Sequence, residues 1–215
     1  TAEHREENYN VWGYAMTMGL GYLEYFQMAE DLGAEPLPVV ACGVLCQARS
    51  DGANAAGGAL MDYYIQNFKD LIEFANGDES TEYGALRAAL GHPEPFNLKY
   101  LGVGNENWGN EFFANFEVFY AEIMAFCEEK GYDITIISTT GAQANDSAYQ
   151  SGWEFLAGEK AGGTYSDKVT TGMDTVVGES GSTADRTHTW YEKDSETDLP
   201  LKDNYMDTIA DEHYY

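Results

Sequence analysis

Short apolar runs alternate with longer amphipathic stretches along most of the chain, and this alternation restricts the fold more than any other feature. Apolar residues recur at helical spacing over 20–32, 61–75 and 116–127, with shorter helical patterns at 83–90 and 149–156. The apolar runs are Leu37–Cys42, Leu98–Val103, Ile134–Ser138 and Thr208–Tyr215. Strands that alternate with helices in this way predict an α/β fold, in which helices pack outside a parallel sheet.

Glycines stand where three of these helices should end. Gly33 directly follows the first helical stripe, where a left-handed cap is expected, and Gly77 and Gly131 lie just past the ends of two later stripes. From 141 to 204 the pattern dissolves into Gly, Ser, Thr and Asp, which predicts a long, partly irregular excursion between two strands of one domain. Such an excursion is either a substrate-facing loop or a neutral surface insertion.

The charge balance excludes some classes of partner. Eleven Lys and Arg residues stand against 37 Asp and Glu residues, which gives a formal net charge of −26. A surface of this sign repels nucleic acid phosphates and anionic membranes, so we expect neither as a partner. It favours a neutral or cationic ligand, although high solubility alone would also account for it.

The cysteines and histidines predict neither a disulfide scaffold nor a cofactor. Cys42, Cys46 and Cys127 are an odd number, and no His or Cys stands at zinc-site spacing from the first two. We therefore expect reduced, buried thiols and no metal. The polar N-terminal residues lack the basic-then-apolar order of a secretion signal, which slightly favours a cytoplasmic over a secreted location.

The segment Gly104-Asn-Glu-Asn-Trp-Gly109 follows a predicted strand and carries the strongest chemical signal. A carboxyl at the C-terminal end of a parallel strand lies where α/β proteins bind ligands, and partial burial lets Glu106 hold a proton as a general acid/base. Asn105 offers hydrogen bonds to a sugar hydroxyl, and Trp108 offers a flat face for a sugar ring. This combination suits a carbohydrate. A polar turn without function is the alternative, whereas a dinucleotide loop lacks its third glycine.

A second group of polar residues lies near the C-terminus. Asp211, His213 and Tyr215 alternate along a predicted strand and should share one side of it. A divalent metal site is a rival interpretation, but one strand supplies too few ligands; a plain polar strand end is another. Glu179 is a further candidate carboxylate, within the irregular excursion.

Taken together, these residues resemble glycoside hydrolase family 51, the α-L-arabinofuranosidases. The motifs that carry the resemblance are Trp12-Gly-Tyr14, Gly19-Leu-Gly21, Glu24-Tyr-Phe-Gln27, Glu30-Asp-Leu-Gly-Ala-Glu-Pro36, Gly104-Asn-Glu-Asn-Trp-Gly109 and Asp211-Glu-His-Tyr-Tyr215. The resemblance covers most of the chain. It implies a (β/α)8 barrel that hydrolyses arabinose-containing oligo- or polysaccharides with retention, without a cofactor, as a homo-oligomer that is commonly a hexamer.

The resemblance also assigns roles to individual residues. It implies that Glu106 is the acid/base at the end of the fourth barrel strand and that Asn105 binds the sugar. It further implies that His213 and Tyr215, on the sixth strand, line the pocket and help to hold the nucleophile. Where the family often has an Asn after the third strand, this sequence has Ala41 and Cys42.

The resemblance further implies that these 215 residues are an incomplete barrel covering roughly strands three to six. The family's nucleophile, a Glu on strand seven, is then expected beyond Tyr215, together with the C-terminal β-sandwich. We therefore expect no arabinofuranosidase activity from this chain alone. Other retaining barrel glycosidases, such as an endoglucanase or a xylosidase, remain open, as do a non-catalytic sugar-binding module and an interaction domain.

Overall fold

The computed structural model describes residues 4–10, 12–47, 59–143, 146–157, 171–177, 183–189 and 205–213. The chain forms two compact units, one built from Thr1–Pro38 and Asp70–Tyr100, the other from Val39–Lys69 and Leu101–Tyr215. None of the helices in the described part of the chain combines the length and the apolarity needed to span a bilayer.

A four-stranded sheet forms the framework of the second unit. Its strands are β3 (Val39–Val40), β4 (Tyr100–Val103), β5 (Thr135–Thr139) and β8 (Ile209–Asp211), in the order β3-β4-β5-β8. Strand β3 pairs parallel with β4, and β5 pairs parallel with β8. Three of the four lie within the apolar runs of the sequence and β5 extends one residue beyond its run, so the prediction of an α/β fold with a parallel sheet is confirmed. Because the strands of a parallel sheet run in one direction, their C-terminal ends share one edge.

Strand β3 is buried on one face only. Val40 is 4% exposed but Val39 is 48% exposed. The physical reason is position, because β3 is an edge strand of the described sheet and pairs through two residues only. Gly102 lies opposite Val39, where an added Cβ would come within 2.9 Å of the valine side chain.

The helices are α1 (Tyr22–Leu32), α2 (Ala59–Asn76), α3 (Glu82–Ala89), α4 (Gly109–Lys130) and α5 (Ser147–Ala157). Left-handed glycines end α1 and α4 as predicted, with φ of 66° at Gly33 and 72° at Gly131. Helix α4 begins seven residues before the predicted apolar stripe. Residues 111–117 are buried on every face of the helix, Glu111 and Asn115 included, so no helical periodicity marks them in the sequence.

Aromatic packing makes the core of the second unit. The rings of Phe113 and Phe155 stack 4.4 Å apart, which joins α4 to α5. Tyr205, just before β8, packs on Phe155 at 5.2 Å and edge-on to Phe116 at 5.4 Å. Aromatic pairs of this kind add stability beyond the area they bury, and here they join α4 and α5 to the residue that precedes β8.

The first unit has a buried cation at its centre. Arg87 on α3 is fully buried and donates three hydrogen bonds to backbone carbonyls, those of Phe74, His92 and Pro93. A planar guanidinium has five N–H donors in fixed directions on three nitrogens, whereas a lysine ammonium has three donors on one nitrogen. Arg87 therefore ties the end of α2 to the segment that follows α3.

Two antiparallel strand pairs were not predicted. Strands β1 (Asn8–Tyr9) and β2 (Ala15–Met16) pair across a short turn, and two residues are too few to show a strand period. Strands β6 (Thr171–Val177) and β7 (Thr183–Thr189) pair over seven residues within the stretch predicted to be partly irregular. That stretch is rich in Thr, Gly and Asp, so its strands carry little apolar signal.

Candidate active site

The turn between β4 and α4, residues 104–109, carries Glu106 at the C-terminal edge of the sheet. We call it the Glu106 turn. The backbone N–H of Gly104 donates to the carbonyl of Val40 over 2.8 Å, so the turn starts in register with β3. Gly104 has φ of +79°, and a Cβ there would lie 2.7 Å from the Phe112 ring. Only glycine fits this position, and it lets the chain leave the strand abruptly.

Glu106 itself adopts a left-handed backbone conformation, with φ of 54°. For a non-glycine residue this costs on the order of 1–3 kcal/mol and persists only where the surroundings fix it. Strain of this kind is concentrated at functional sites. Its side chain is 28% exposed, which places the carboxyl between protein and solvent.

The carboxylate of Glu106 contacts the imidazole of His213. Glu106 Oε1 lies 2.8 Å from His213 Nδ1, and His213 Nε2 lies 3.2 Å from Asp211 Oδ2. The three side chains thus form a carboxylate–imidazole–carboxylate chain across the strand ends. Both carboxylates can accept, so the protonated ring can donate from both of its nitrogens.

This arrangement favours the charged form of His213. Burial of the imidazole lowers the pKa of His213. The hydrogen bond to Glu106 and the charge of Asp211 raise that pKa by more than burial lowers it, so the pKa lies above its ordinary value. A proton is therefore held next to the Glu106 carboxylate at a pH where an isolated histidine would have lost it.

Neighbouring residues on the Asp211 segment point in opposite directions, as the sequence predicts. Glu212 Oε1 accepts hydrogen bonds from Trp153 Nε1 at 2.9 Å and from Tyr149 Oη at 3.2 Å, both on α5. The carbonyl of Asp211 accepts from the backbone N–H and hydroxyl of Thr140 at 3.1 and 3.0 Å. The backbone around His213 is thus held from two sides, which fixes where its ring reaches Glu106.

A cavity of about 320 Å³ opens beside Glu106. One wall is the Glu106 turn and the other is the segment that follows β3; Ala142 closes it after β5. The wall residues are Val39, Val40, Ala41, Val44, Leu45, Cys46 and Gln47 on one side and Asn105, Glu106, Asn107 and Trp108 on the other. The cavity thus sets an apolar wall opposite a wall that carries a carboxyl, amides and an indole.

The predicted site residues fall into two groups. Asn105, Glu106 and Trp108 line the cavity, and His213, which follows β8, contacts Glu106. Tyr215 and Glu179 lie outside the described residues. Within the described ranges, no three His, Cys, Asp or Glu side chains come together as metal ligands would.

The cysteines behave differently from one another. Cys42 and Cys127 are buried free thiols, as predicted, but Cys46 is exposed at the cavity wall, and that prediction was wrong. Residues 42–44 are buried, but Leu45 and Cys46 after them are exposed, which apolar composition alone does not reveal. Burial raises the pKa of the Cys42 thiol to about 12, so it stays protonated and is not a nucleophile. Its carbonyl accepts a 2.7 Å hydrogen bond from Asn115 Nδ2, which anchors the segment on α4.

Sequence reasoning missed Gln47. Its amide hydrogen-bonds both the backbone N–H and the carbonyl of Trp108, each over 2.9 Å. The two residues are 61 positions apart, and no local pattern links them. Asn107 was also passed over, although it stands in the same motif as Glu106; its side chain is 4% exposed and bonds within the turn.

Comparison with known proteins identifies the family. A family model described as the α-L-arabinofuranosidase 1 domain matches residues 1–195. The extracellular exo-α-L-arabinofuranosidase of Streptomyces chartreusis is 42% identical over 153 residues, which are 71% of this chain and 18% of that protein. α-L-Arabinofuranosidase 2 of Arabidopsis thaliana is 41% identical over 145 residues, 66% of this chain and 20% of that protein. The chain therefore spans about a fifth of the length of these relatives.

Solved structures agree at the level of the fold. The arabinose-bound family 51 α-L-arabinofuranosidase MgGH51 aligns with a TM-score of 0.52 at 36% identity, over 66% of this chain and 22% of that one. The family 51 enzyme of Thermotoga petrophila RKU-1 aligns with a TM-score of 0.53 at 22% identity, over 74% of this chain and 30% of that one. The four-stranded parallel sheet and its helices thus match part of these barrel enzymes. With the family model covering most of its length, this chain belongs to the family 51 α-L-arabinofuranosidases.

Proposed function

We propose that this chain supplies part of the catalytic barrel of a retaining α-L-arabinofuranosidase, roughly strands three to six, and that Glu106 is its acid/base. The substrate would be a terminal α-L-arabinofuranosyl residue of an arabinose-containing oligo- or polysaccharide. The observation that carries the proposal is the place of Glu106, which lines a cavity at the C-terminal edge of a parallel sheet and contacts His213 over 2.8 Å.

The chemistry asks Glu106 to give and take a proton. In a retaining enzyme one carboxyl protonates the leaving oxygen and later deprotonates the attacking water, while a second carboxylate, about 5 to 5.5 Å away, forms the glycosyl-enzyme. His213 holds a proton beside Glu106 because its pKa lies above its ordinary value. That proton stabilises the glutamate as a carboxylate once it has protonated the leaving group.

The other site residues take binding roles in this proposal. The Asn105 side chain is exposed at the cavity and offers hydrogen bonds to a sugar hydroxyl, and Trp108 offers a ring face. Tyr215 is proposed to line the sugar pocket together with His213. The nucleophile of the retaining pair stays unassigned.

Two measurements on the protein expressed from its complete reading frame test the substrate and the stereochemistry. A panel of 4-nitrophenyl glycosides should show hydrolysis of the α-L-arabinofuranoside well above the β-D-xyloside and the β-D-glucoside. Proton NMR of the first-formed sugar should show the anomeric configuration of the substrate. A preference for the xyloside or glucoside would instead favour another retaining glycosidase, and binding of arabinose without any hydrolysis would favour a carbohydrate-binding role.

A further inference from the structure

The strained backbone of Glu106 needs a partner that holds it. Gly104 and Gly109, at the two ends of the Glu106 turn, reach positive φ at little cost because they lack a Cβ. Glu106 has no such freedom, and its φ of 54° persists only if its neighbours are fixed. The hydrogen bonds that fix the neighbours of Glu106 therefore show which residue holds its backbone in this conformation.

Gln47 holds the residue two positions after Glu106. Its Oε1 accepts from the backbone N–H of Trp108 and its Nε2 donates to the carbonyl of Trp108, both over 2.9 Å. The side-chain amide thus pairs with Trp108 as the backbone of a neighbouring strand would. Because Gln47 belongs to the segment after β3, this pairing fastens the turn to the opposite wall of the cavity.

Asn107 links Gln47 to the residue before Glu106. Its Oδ1 accepts from the backbone N–H of Asn105 over 3.0 Å, and its Nδ2 donates to Gln47 Oε1 and to the carbonyl of Leu45, each over 3.3 Å. Both sides of Glu106 are therefore fixed by one connected set of amides. Asn107 is buried, so water does not compete for these bonds.

We propose that Gln47 is a positioning residue that holds Glu106 in its left-handed conformation and so aims its carboxyl at His213 and the cavity. Glutamine suits the task because it offers a donor and an acceptor without a charge. A glutamate there would set a carboxylate against the carbonyl of Trp108 and add a negative charge to a cavity that already holds Glu106. The role of Gln47 in catalysis rests on the proposed function; its role in geometry does not.

The geometric part is tested by NMR pH titration of His213 in the full chain, assigned with a His213→Gln variant among the four histidines. Glu106→Gln should lower the pKa of His213, since the charged acceptor on Nδ1 is lost. Gln47→Ala should shift it in the same direction, by at least about half as much, because the carboxyl is no longer held in place. Gln150→Ala, an exposed glutamine on α5, should leave it unchanged.

A second variant guards against loss of folding. Gln47→Met keeps the length of the side chain and removes every hydrogen bond, so it should give the same shift with an unchanged far-ultraviolet circular dichroism spectrum. A wild-type pKa for His213 in folded Gln47→Met would overturn the proposal. A crystal structure of that variant should show Glu106 turned away from His213, and an unmoved Glu106 would overturn the proposal equally.

The catalytic part is tested on the protein from the complete reading frame. Gln47→Met should lower kcat by about 10- to 100-fold with a smaller change in KM, since a carboxyl displaced by about 1 Å transfers protons poorly. If hydrolysis depends on Glu106 but neither kcat nor the His213 titration responds to Gln47→Met, the positioning role is wrong and the proposed function stands. If the titration responds but no variant hydrolyses arabinofuranosides, the proposed function is wrong and the positioning of Glu106 stands.

Discussion

Glu106 Oε1 and His213 Nδ1 lie 2.8 Å apart although 107 residues separate them in the sequence. Each residue lies just beyond the end of a parallel strand, Glu106 after β4 and His213 after β8. The single strand β5 lies between those two in the sheet. The contact exists because the C-terminal ends of parallel strands meet at one edge, and it makes the titration of one group depend on the other.

This coupling predicts a pH-dependent contribution to stability. The pKa of His213 is raised in the folded chain above its ordinary value of about 6.5, so the stability from its charged form is complete below that value and is lost as the pH rises through the folded pKa. A double-mutant cycle with Glu106→Gln and His213→Gln should give a coupling of up to about 1 kcal/mol near pH 6, because the pair is partly exposed. Chemical unfolding near pH 9 should give a coupling close to zero.

The ion pair of Arg5 and Glu24 provides a matched control. Its side chains are exposed to a similar degree, 26% and 28%, and Arg5 Nη2 lies 2.9 Å from Glu24 Oε2. The pKa of Glu24 is lowered, chiefly by its hydrogen bond from Arg5, so its carboxylate stays charged from pH 6 to pH 9. A cycle on this pair should give the same coupling at both pH values. A His213 cycle that is equally flat would contradict the predicted coupling.

Trp108 is predicted to contribute to binding through its ring alone, because its backbone is already held by Gln47. Trp108→Ala should raise KM for an arabino-oligosaccharide by about two- to tenfold, which corresponds to the roughly 0.5–1.5 kcal/mol typical of a stacked aromatic face. Trp108→Phe keeps an aromatic face and should retain most of the affinity. Steady-state kinetics of the three proteins decides the matter, and equal KM values would exclude a stacking role.

Arg87 is predicted to be the most sensitive cation of the first unit. Arg87→Ala leaves three backbone carbonyls without their donor and opens a cavity at a fully buried side chain, which should lower the free energy of unfolding by about 3–5 kcal/mol. Lys99 is 55% exposed in its ion pair with Glu35, so Lys99→Ala should cost less than about 1 kcal/mol. Urea unfolding of both variants checks the contrast. Similar losses would show that burial does not set the contribution of Arg87.

The elements that the sequence predicts are those whose structure is set by nearby residues, whereas elements set by tertiary contacts are missed. Gly33 and Gly131 end helices through a local requirement for positive φ, so both ends were predictable. The start of α4 was not, because residues around Asn115 are buried on all sides and show no period. Strands β6 and β7 pair with each other. Because many of their residues are polar, no apolar pattern in the sequence indicates that pairing.

The same distinction applies to the site. Glu106 was predictable because a carboxyl after a strand carries its own signal, and the side shared by Asp211 and His213 followed from strand alternation. Gln47 was not predictable, since its importance lies in contacts with residues about 60 positions away. Long-range positioning of this kind depends on tertiary structure, and a neutral side chain gives no sign of it in composition or spacing.

The most direct test of the acid/base role is the leaving-group dependence of a Glu106→Ala variant. In the protein from the complete reading frame, kcat/KM for arabinofuranosides of poor leaving groups should fall by about 10²- to 10⁴-fold, because these need a proton from Glu106. Substrates with good leaving groups, such as 2,4-dinitrophenol, should lose far less. An exposed control, Glu79→Ala, should change neither series. Equal losses of Glu106→Ala for good and poor leaving groups would contradict the assignment of Glu106 as the acid/base.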